Sequence, residues 1–270
     1  MAAKRGCVFP CFKDKVVIVT GASSGGIGEC TAIEYAKDGA KLAITGLPCN
    51  AEQLNDTAKK CIAEGVPSDN IFQMTGDLID TAFVETFIQQ TVDKFGGIDV
   101  LVNIAGLSEA REPDEYDCDK LDRAYNLMVR AMYTIIRCSL PHLKKTKGSI
   151  VNISSIASLQ PSAAVLEYSI CKSSLAHMAR NLAFEMAESG VRINTIAPGV
   201  IRTQMTESYG EGVFINGNKK TGFHRPGKPI EVASTIQFLT SPSASFITGV
   251  ELPVDGGAAV LSFVNPSDFS

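Results

Sequence analysis

Short apolar runs alternate with segments of helical period along most of the chain, and this alternation restricts the fold more than any other feature. The apolar runs are rich in β-branched residues, as expected for strands that are covered on both faces. They span residues 16–20, 41–45, 70–75, 99–103, 149–153, 192–196 and 250–254. The helical segments span residues 29–38, 51–64, 82–95, 118–146, 168–189 and 231–239. This order predicts an α/β fold: a single doubly wound parallel sheet of about seven strands with helices on both faces.

The composition excludes several classes of function. A net charge of −4 over 270 residues argues against a surface that binds nucleic acid. No apolar run approaches the roughly 18 residues that a membrane-spanning helix needs. Eight cysteines are too few for a disulfide framework, and the three histidines lie far apart in the sequence, so no metal site is expected. We therefore expect a cytoplasmic protein that binds neither membranes nor nucleic acid.

The glycine-rich stretch VVIVTGASSGGIGEC (16–30) has two interpretations. A G-x-S-x-G pattern centred on Ser23 fits the turn that exposes a nucleophilic serine in hydrolases. Gly21, Gly26 and Gly28 instead fit a glycine turn that brings a helix N-terminus to a dinucleotide pyrophosphate. The hydrolase turn normally follows several strands, whereas this stretch follows the first one. Position therefore favours the dinucleotide, and a serine hydrolase is the less favoured alternative.

The end of the second predicted strand bears on the choice of dinucleotide. Folds that bind NAD often carry an acidic residue about 20 residues after the glycine turn, where it binds the ribose 2′-hydroxyl. Here that end reads Thr45-Gly46-Leu47-Pro48, with no acid and no arginine. Without a negative charge, a 2′-phosphate would be admitted. The sequence therefore favours NADP(H) and leaves NAD(H) open.

Further motifs occur in an order and spacing that resemble the short-chain dehydrogenase/reductase family. They are Gly21 with Gly26-Ile27-Gly28, Asn103-Ile104-Ala105-Gly106, Tyr168-Ser169-Ile170-Cys171-Lys172 and Asn194-Thr195-Ile196-Ala197-Pro198-Gly199. The segment SFITGVELPVDGG (245–257) resembles the family's C-terminal signature. The resemblance implies a Rossmann sheet of seven parallel strands and one NAD(P)-binding domain over residues 1–270. It also implies hydride transfer between NAD(P) and a small-molecule carbonyl or alcohol.

The resemblance assigns site residues position by position. The catalytic set would be Asn126, Ser155, Tyr168 and Lys172. Tyr168 and Lys172 would also contact the cofactor, together with residues of the glycine turn, the third and fourth strand ends and the segment beside the nicotinamide. These further residues are Gly21, Ser23, Ser24, Gly26, Ile27, Gly28, Asp77, Leu78, Asn103, Ala105, Gly106, Pro198, Gly199, Ile201 and Thr203.

The residue types suit this chemistry. Reducing a ketone requires a proton at the developing alkoxide. A tyrosine, with a usual pKa of about 10, donates it near neutral pH only when a cation stabilises the phenolate. Lys172 lies four residues after Tyr168, on the same helix face. A serine would donate a hydrogen bond to the substrate oxygen, and the family spacing selects Ser155 over the adjacent Ser154. Asn126 would hold a water that links Lys172 to solvent.

Two departures from the family pattern are expected to have structural consequences. The glycine turn contains one extra residue before Gly26. Either the loop bulges at residues 23–25, or Gly25 takes the role of the middle glycine and the helix begins later. Ile104 replaces a second asparagine of the family pattern. We expect the loss of that amide to affect stability or cofactor affinity more than the chemistry.

Three segments are expected outside the sheet and its helices. Residues 1–11 would be an N-terminal extension, and residues 203–229 would form a lid over the substrate. Three aromatic residues of the lid are available to line an apolar pocket: Tyr209, Phe214 and Phe223. The tail, residues 258–270, is expected to pack on a neighbouring subunit of a homotetramer or homodimer, or else over its own pocket.

A second class of function also stays open at this point. A chain of the same fold could bind a nucleotide as a sensing scaffold, its chemistry lost because the enlarged glycine loop misplaces the cofactor. The complete catalytic set argues against this alternative.

Overall fold

The structure, a computed structural model, describes residues 12–23, 25–108, 116–162, 165–207, 210–212, 214 and 221–260. The strands in these ranges are β1 (Val16–Thr20), β2 (Lys41–Gly46), β3 (Ile71–Thr75), β4 (Val100–Asn103), β5 (Ser149–Ile153), β6 (Arg192–Pro198) and β7 (Glu251–Val254). They form one parallel seven-stranded sheet in the order β3-β2-β1-β4-β5-β6-β7. This is the Rossmann-type order, so the predicted fold is confirmed.

The α-helices in the same described ranges include α1 (Ile27–Lys37), α2 (Ala51–Ala63), α3 (Thr81–Phe95), α4 (Cys118–Tyr125), α5 (Met132–Thr146), α6 (Leu166–Met186), α7 (Gln204–Glu207) and α8 (Pro229–Thr240). Helices α1, α2 and α8 bury their apolar side chains on one face of the sheet. Helices α3, α5 and α6 do so on the other face. Because both faces are covered, the strands are mostly apolar, and this makes them recognisable in the sequence.

The strand bounds agree with the prediction to within two residues, whereas two helices differ in an informative way. Helix α1 begins at Ile27, two residues earlier than predicted, because the extended residue Gly26 caps it. The helix expected over 118–146 changes its hydrogen bonding, since a π-helical segment, Asn126–Ala131, joins α4 to α5. Residues 1–11 and 261–270, which contain the expected extension and most of the expected tail, lie outside the described ranges.

The longest described helix, α6, has 21 residues and carries charged side chains along its length. Neither it nor any other helix in the part of the chain that the structure describes is long and apolar enough to cross a membrane.

The strand order reverses at β1, and this reversal positions a crevice. β1 pairs with β2 on one side, where Val17 lies opposite Leu42, and with β4 on the other, where Val17 lies opposite Val100. Chain segments that leave β1 and β4 therefore run to opposite faces of the sheet. In open α/β sheets, ligands bind at such a point, beyond the carboxyl ends of the strands.

Candidate functional site

A cleft of about 400 Å³ lies at this reversal of strand order. It brings together 16 of the residues that were assigned to a site from the sequence. They are Gly21, Ser23, Gly26, Ile27, Gly28, Asp77, Leu78, Ala105, Gly106, Ser155, Tyr168, Lys172, Pro198, Gly199, Ile201 and Thr203. Asn103 and Asn126 do not line it, and Ser24 lies outside the described residues.

The glycine turn is built from close backbone contacts that only glycine permits. Gly21 has φ +67°, and a Cβ there would lie 2.9 Å from the backbone nitrogen of Ala105. A Cβ on Gly28 would lie 2.0 Å from the carbonyl oxygen of Gly21. The first turn of α1 therefore packs directly on the end of β1. Because the Gly26 cap has no side chain, the N-terminal amides of α1 have no side-chain acceptor at the cap. This end can hold an anion.

The extra residue of the loop bulges away from this contact. Gly26, not Gly25, caps α1, so the helix does not begin late. Gly25 is exposed, and a Cβ there would meet nothing within 4 Å. The structure thus favours the first of the two arrangements considered from the sequence.

Ser23 is packed in a way that disfavours a nucleophilic role. Its side chain is only 4 % exposed, and a Cβ on Gly46 would lie 2.4 Å from its Oγ. Among the described residues that line the cleft there is no histidine to act as its base. The geometry therefore gives no support to the serine hydrolase alternative.

The end of the cleft beside β2 carries little charge. Leu47, which is 45 % exposed, and Asn50 line it there. Asp77 follows β3, and its Oδ1 accepts a hydrogen bond from the backbone nitrogen of Ile79 at 2.9 Å. Asp77 is the only acidic residue and Lys172 the only basic one among the described residues of the cleft wall.

Lys172 and Tyr168 lie one turn apart on α6 and face the same end of the cleft. Lys172 is buried, and its Nζ donates a hydrogen bond of 2.7 Å to the carbonyl oxygen of Ile153 at the end of β5. The same Nζ lies 5.4 Å from the centre of the Tyr168 ring. Burial lowers the pKa of the Lys172 ammonium to about 8, because a charged group is poorly solvated there.

The Tyr168 ring is held by an apolar cluster beneath the cleft. The buried members come from α4, the π-helical segment and α6: Ala124, Met128, Val129 and Cys171. Cys171 is thus a packing residue, and burial raises the pKa of its thiol to about 11. The cluster packs against the Tyr168 ring, and Tyr168 also lines the cleft.

Ser155 caps a short 3-10 turn, Ile156–Ser158, that follows β5. Its Oγ accepts a hydrogen bond of 3.1 Å from the backbone nitrogen of Ala157. That contact uses a lone pair of the hydroxyl and leaves its proton available to a ligand. Ser154, the alternative candidate, is buried, and its Oγ lies 3.2 Å from the carbonyl oxygen of Lys172. The geometry therefore favours Ser155 as the donor, as the family spacing did.

Asn103 and Asn126 each precede a residue of the cleft wall, Ile104 and Leu127 respectively. Asn103 is buried, and its Nδ2 donates a hydrogen bond of 2.8 Å to Oδ1 of Asn152, its partner on the neighbouring strand β5. Asn126 is half-buried and begins the π-helical segment. Short π-helical insertions are frequent at functional sites. Ile104, which stands where the family pattern has a second asparagine, packs against the apolar core on the α1 side of the sheet.

The cleft wall also contains residues that the sequence analysis did not assign. They are Thr45, Gly46, Leu47, Asn50, Gly76, Ile79, Ile104, Leu107, Leu127, Ile153, Ser154, Met205 and Thr206. Most of them follow a strand by a few residues, and this position is the feature of the sequence that could have indicated them. In the described parts of the chain, no group of three His, Cys, Asp or Glu side chains could hold a metal ion.

Comparisons with known proteins agree with this geometry. A family model described as "Enoyl-(Acyl carrier protein) reductase" matches residues 21–259. A meso-2,3-butanediol dehydrogenase of Serratia marcescens is 32 % identical over 247 residues, which cover 92 % of this chain and 95 % of that protein. A 3-oxoacyl-[acyl-carrier-protein] reductase of Thermotoga maritima is 32 % identical, with 91 % and 98 % covered.

Solved structures give the same result. A short-chain dehydrogenase/reductase of Serratia marcescens has a TM-score of 0.86 at 27 % identity, covering 93 % of this chain and all of that one. A short chain dehydrogenase of Burkholderia cenocepacia, solved in complex with NADP, has a TM-score of 0.85 at 30 % identity, covering 92 % of this chain and 99 % of that one. On its sequence, fold and cleft, this chain belongs to the short-chain dehydrogenase/reductase family of oxidoreductases.

Proposed function

We propose that this protein transfers a hydride between NADP(H) or NAD(H) and the carbonyl or secondary alcohol of a small molecule. One observation carries the proposal. Tyr168 and Ser155 both line the cleft, with the Lys172 ammonium 5.4 Å from the tyrosine ring. The cleft also contains the glycine turn against the N-terminus of α1, which suits a pyrophosphate.

The cleft fits a dinucleotide on structural grounds. Backbone groups approach closely at Gly21 and Gly28, where any side chain would fill the space. Gly26, Ile27 and the adjoining Ser23 and Ser24 would hold the pyrophosphate. Asp77 and Leu78 would lie along the adenine. Ala105, Gly106 and the wall formed by Pro198, Gly199, Ile201 and Thr203 would enclose the nicotinamide end. Asn103 would support this wall from inside the sheet.

The bound nicotinamide would supply or accept the hydride. The Tyr168 hydroxyl would give a proton to the substrate oxygen during reduction, and take it back during oxidation. The Ser155 proton, left available by the Ala157 contact, would stabilise the charge that develops on that oxygen. Lys172 would stabilise the phenolate and orient the nicotinamide ribose. Asn126, at the start of the π-helical segment, would hold a water that links Lys172 to solvent.

We propose NADP(H) as the preferred cofactor. Support comes from the end of β2, where Gly46 and Leu47 offer no carboxylate to repel a 2′-phosphate. The described cleft wall offers no arginine there either, so the preference is expected to be modest. The related structure from Burkholderia cenocepacia contains NADP, which is consistent with this choice.

The substrate is proposed to be a small, uncharged ketone or secondary alcohol. Leu107, Leu127 and Met205, which line the cleft together with Tyr168, are apolar. The names of the related proteins include a butanediol dehydrogenase, a 3-oxoacyl-[acyl-carrier-protein] reductase and a levodione reductase. Part of the proposed lid, residues 203–229, lies outside the described ranges, including Tyr209. Phe214 is buried and Phe223 is exposed.

We also propose that the protein is a homotetramer or homodimer of the cytoplasm. Phe184 and Phe246 are almost fully exposed, and large exposed aromatic rings often mark contacts between subunits. The described cysteines carry free thiols, which suits a reducing compartment. Sedimentation equilibrium of the purified chain tests the assembly, and a monomer at micromolar concentration would contradict it.

A substrate panel tested with both cofactors examines the proposal directly. The panel should contain 2,3-butanedione, a cyclic diketone, a 3-oxoacyl thioester and a cyclic diol. The near-ultraviolet absorbance of the reduced nicotinamide reports loss of NAD(P)H during reduction and its formation during oxidation. Cofactor binding with turnover of any member supports the proposed enzyme. Cofactor binding without any turnover supports the nucleotide-sensing alternative, and absence of binding contradicts both.

A further inference from the structure

A buried carboxylate lies behind the Ser155 turn, on the edge strand β7. The side chain of Glu251 is only 5 % exposed, and its Oε2 accepts a hydrogen bond of 2.7 Å from Arg180 Nη2 on α6. Its Oε1 accepts a second one of 2.5 Å from Ser158 Oγ. A carboxylate removed from water is costly unless charge and hydrogen bonds compensate it. Glu251 is not among the residues that line the cleft, so any influence on a reaction must pass through its neighbours.

Ser158 connects this carboxylate to the turn. It ends the 3-10 turn Ile156–Ser158, and its Oγ accepts from Ser154 Oγ at 3.0 Å. The same oxygen lies 2.5 Å from the carbonyl oxygen of Ser155. The single Ser158 proton therefore has two acceptors, of which the carboxylate is the stronger. Ser154 Oγ also lies 3.2 Å from the carbonyl oxygen of Lys172, so the network reaches α6 as well.

The 3-10 turn Ile156–Ser158 in turn orients the Ser155 hydroxyl. The only hydrogen bond of Ser155 Oγ that the structure gives comes from the backbone nitrogen of Ala157, in the middle of the turn. If the end of the turn at Ser158 shifts, the Ala157 N–H shifts with it. The Ser155 hydroxyl then loses the contact that sets its direction.

We propose that Glu251 is a positioning residue: through Ser158 it holds the turn that directs the Ser155 hydroxyl at the substrate oxygen. This inference rests on the function proposed above for Ser155. The competing explanation is a purely structural contact, in which Glu251 only ties β7 to α6 through Arg180. The two explanations differ in whether the Ser155 turn and the catalytic step respond when the carboxylate is removed.

Amide hydrogen exchange measures the turn without any need for turnover. In E251A and S158A, exchange of the amides within residues 154–159 should be at least about tenfold faster than in the natural chain. E251Q should fall between, because its amide oxygen can still accept from Ser158. The matched control is E85Q, which removes an exposed carboxylate paired with Arg137 at 2.9 Å. Unchanged exchange at residues 154–159 in E251A would overturn the proposal.

Kinetics on a double-mutant cycle test the link to Ser155, with 2,3-butanedione and NADPH as the probes. E251A should lower kcat by about 5-fold to 100-fold, as expected for a misplaced catalytic group, with the KM for NADPH unchanged. In an S155A background the same substitution should have no further effect on kcat. An equal loss in both backgrounds would overturn the proposal, because Glu251 would then act elsewhere.

Failure of the proposed function would look different. If S155A and Y168F both retained full turnover, or if no member of the substrate panel were turned over, the assignment of Ser155 would fail. The exchange measurement would still decide whether Glu251 holds the turn.

Discussion

The Nζ atom of Lys172 lies 5.4 Å from the centre of the Tyr168 ring and is fixed there by a 2.7 Å hydrogen bond to the carbonyl oxygen of Ile153. Two elements therefore set this geometry. The helix α6 places the two residues one turn apart, and the end of β5 holds the ammonium. A cation at this distance, removed from water, stabilises a phenolate more strongly than an exposed lysine would.

Burial of Lys172 predicts a specific dependence of stability on pH. The folded state lowers the pKa of this ammonium to about 8, from 10.5 for an ordinary lysine. Between these two pH values the unfolded chain holds the proton and the folded chain has released it, so the free energy of unfolding should rise with pH. From pH 7.5 to 9.5 we expect Lys172 to contribute a gain of about 2 kcal/mol.

Urea unfolding of the natural chain and of K172M at both pH values isolates this contribution. As the pH rises, the free energy of unfolding of the natural chain should increase relative to that of K172M. The matched control for the loss of a lysine is K59M, at an exposed site on α2. If the difference in free energy of unfolding stays constant, or if K172M gains on the natural chain, burial does not lower the pKa of Lys172 as stated.

The geometry of the glycine turn predicts that substitution of Gly28 lowers stability strongly, whereas substitution of Gly25 hardly changes it. An alanine at Gly28 would place its Cβ 2.0 Å from the carbonyl oxygen of Gly21, so α1 would have to move away from β1. G28A should lower the free energy of unfolding by at least about 2 kcal/mol and weaken NADPH binding. G25A meets open space and should change stability by less than about 0.5 kcal/mol. Thermal unfolding and fluorescence titration check both, and equal effects of the two substitutions would be inconsistent with a bulged loop.

Cofactor preference can be tested at the end of β2. Leu47 lines the cleft there and is 45 % exposed, so L47D would bring a negative charge beside the proposed 2′-phosphate. We expect the Kd of NADPH to rise at least about tenfold through charge repulsion, and the Kd of NADH to change much less. L47N is the control, because it has the same shape without the charge. A parallel loss of affinity for both cofactors in L47D would place the 2′-phosphate elsewhere.

The sequence predicted the sheet well because parallel strands covered on both faces read as continuous apolar runs. Each strand bound lies within two residues of the prediction, and the connecting helices follow from their period. The π-helical segment Asn126–Ala131 was not predictable, because a change from one backbone hydrogen-bond pattern to another leaves the apolar period of a helix nearly intact.

Side-chain direction at the ends of strands was the other limit. Asn103 is expected along the cofactor from its place in the motif, whereas its amide is buried and donates to Asn152 on the neighbouring strand. Whether Gly25 or Gly26 caps α1 also could not be decided from spacing alone, since either glycine fits the motif. The contact of Glu251 with Ser158 joins residues 93 positions apart, and no local pattern indicates it.

The central claim is that the Tyr168 hydroxyl carries the proton of the reaction, and Y168F tests it most directly. The ring and its apolar cluster stay in place, so only the hydroxyl is lost, and Y133F, at an exposed tyrosine of α5, is the matched control. With the best substrate of the panel, kcat of Y168F should fall at least about 100-fold while the Kd of NADPH stays close to that of the natural chain. Turnover of Y168F at the rate of the natural chain would contradict the account.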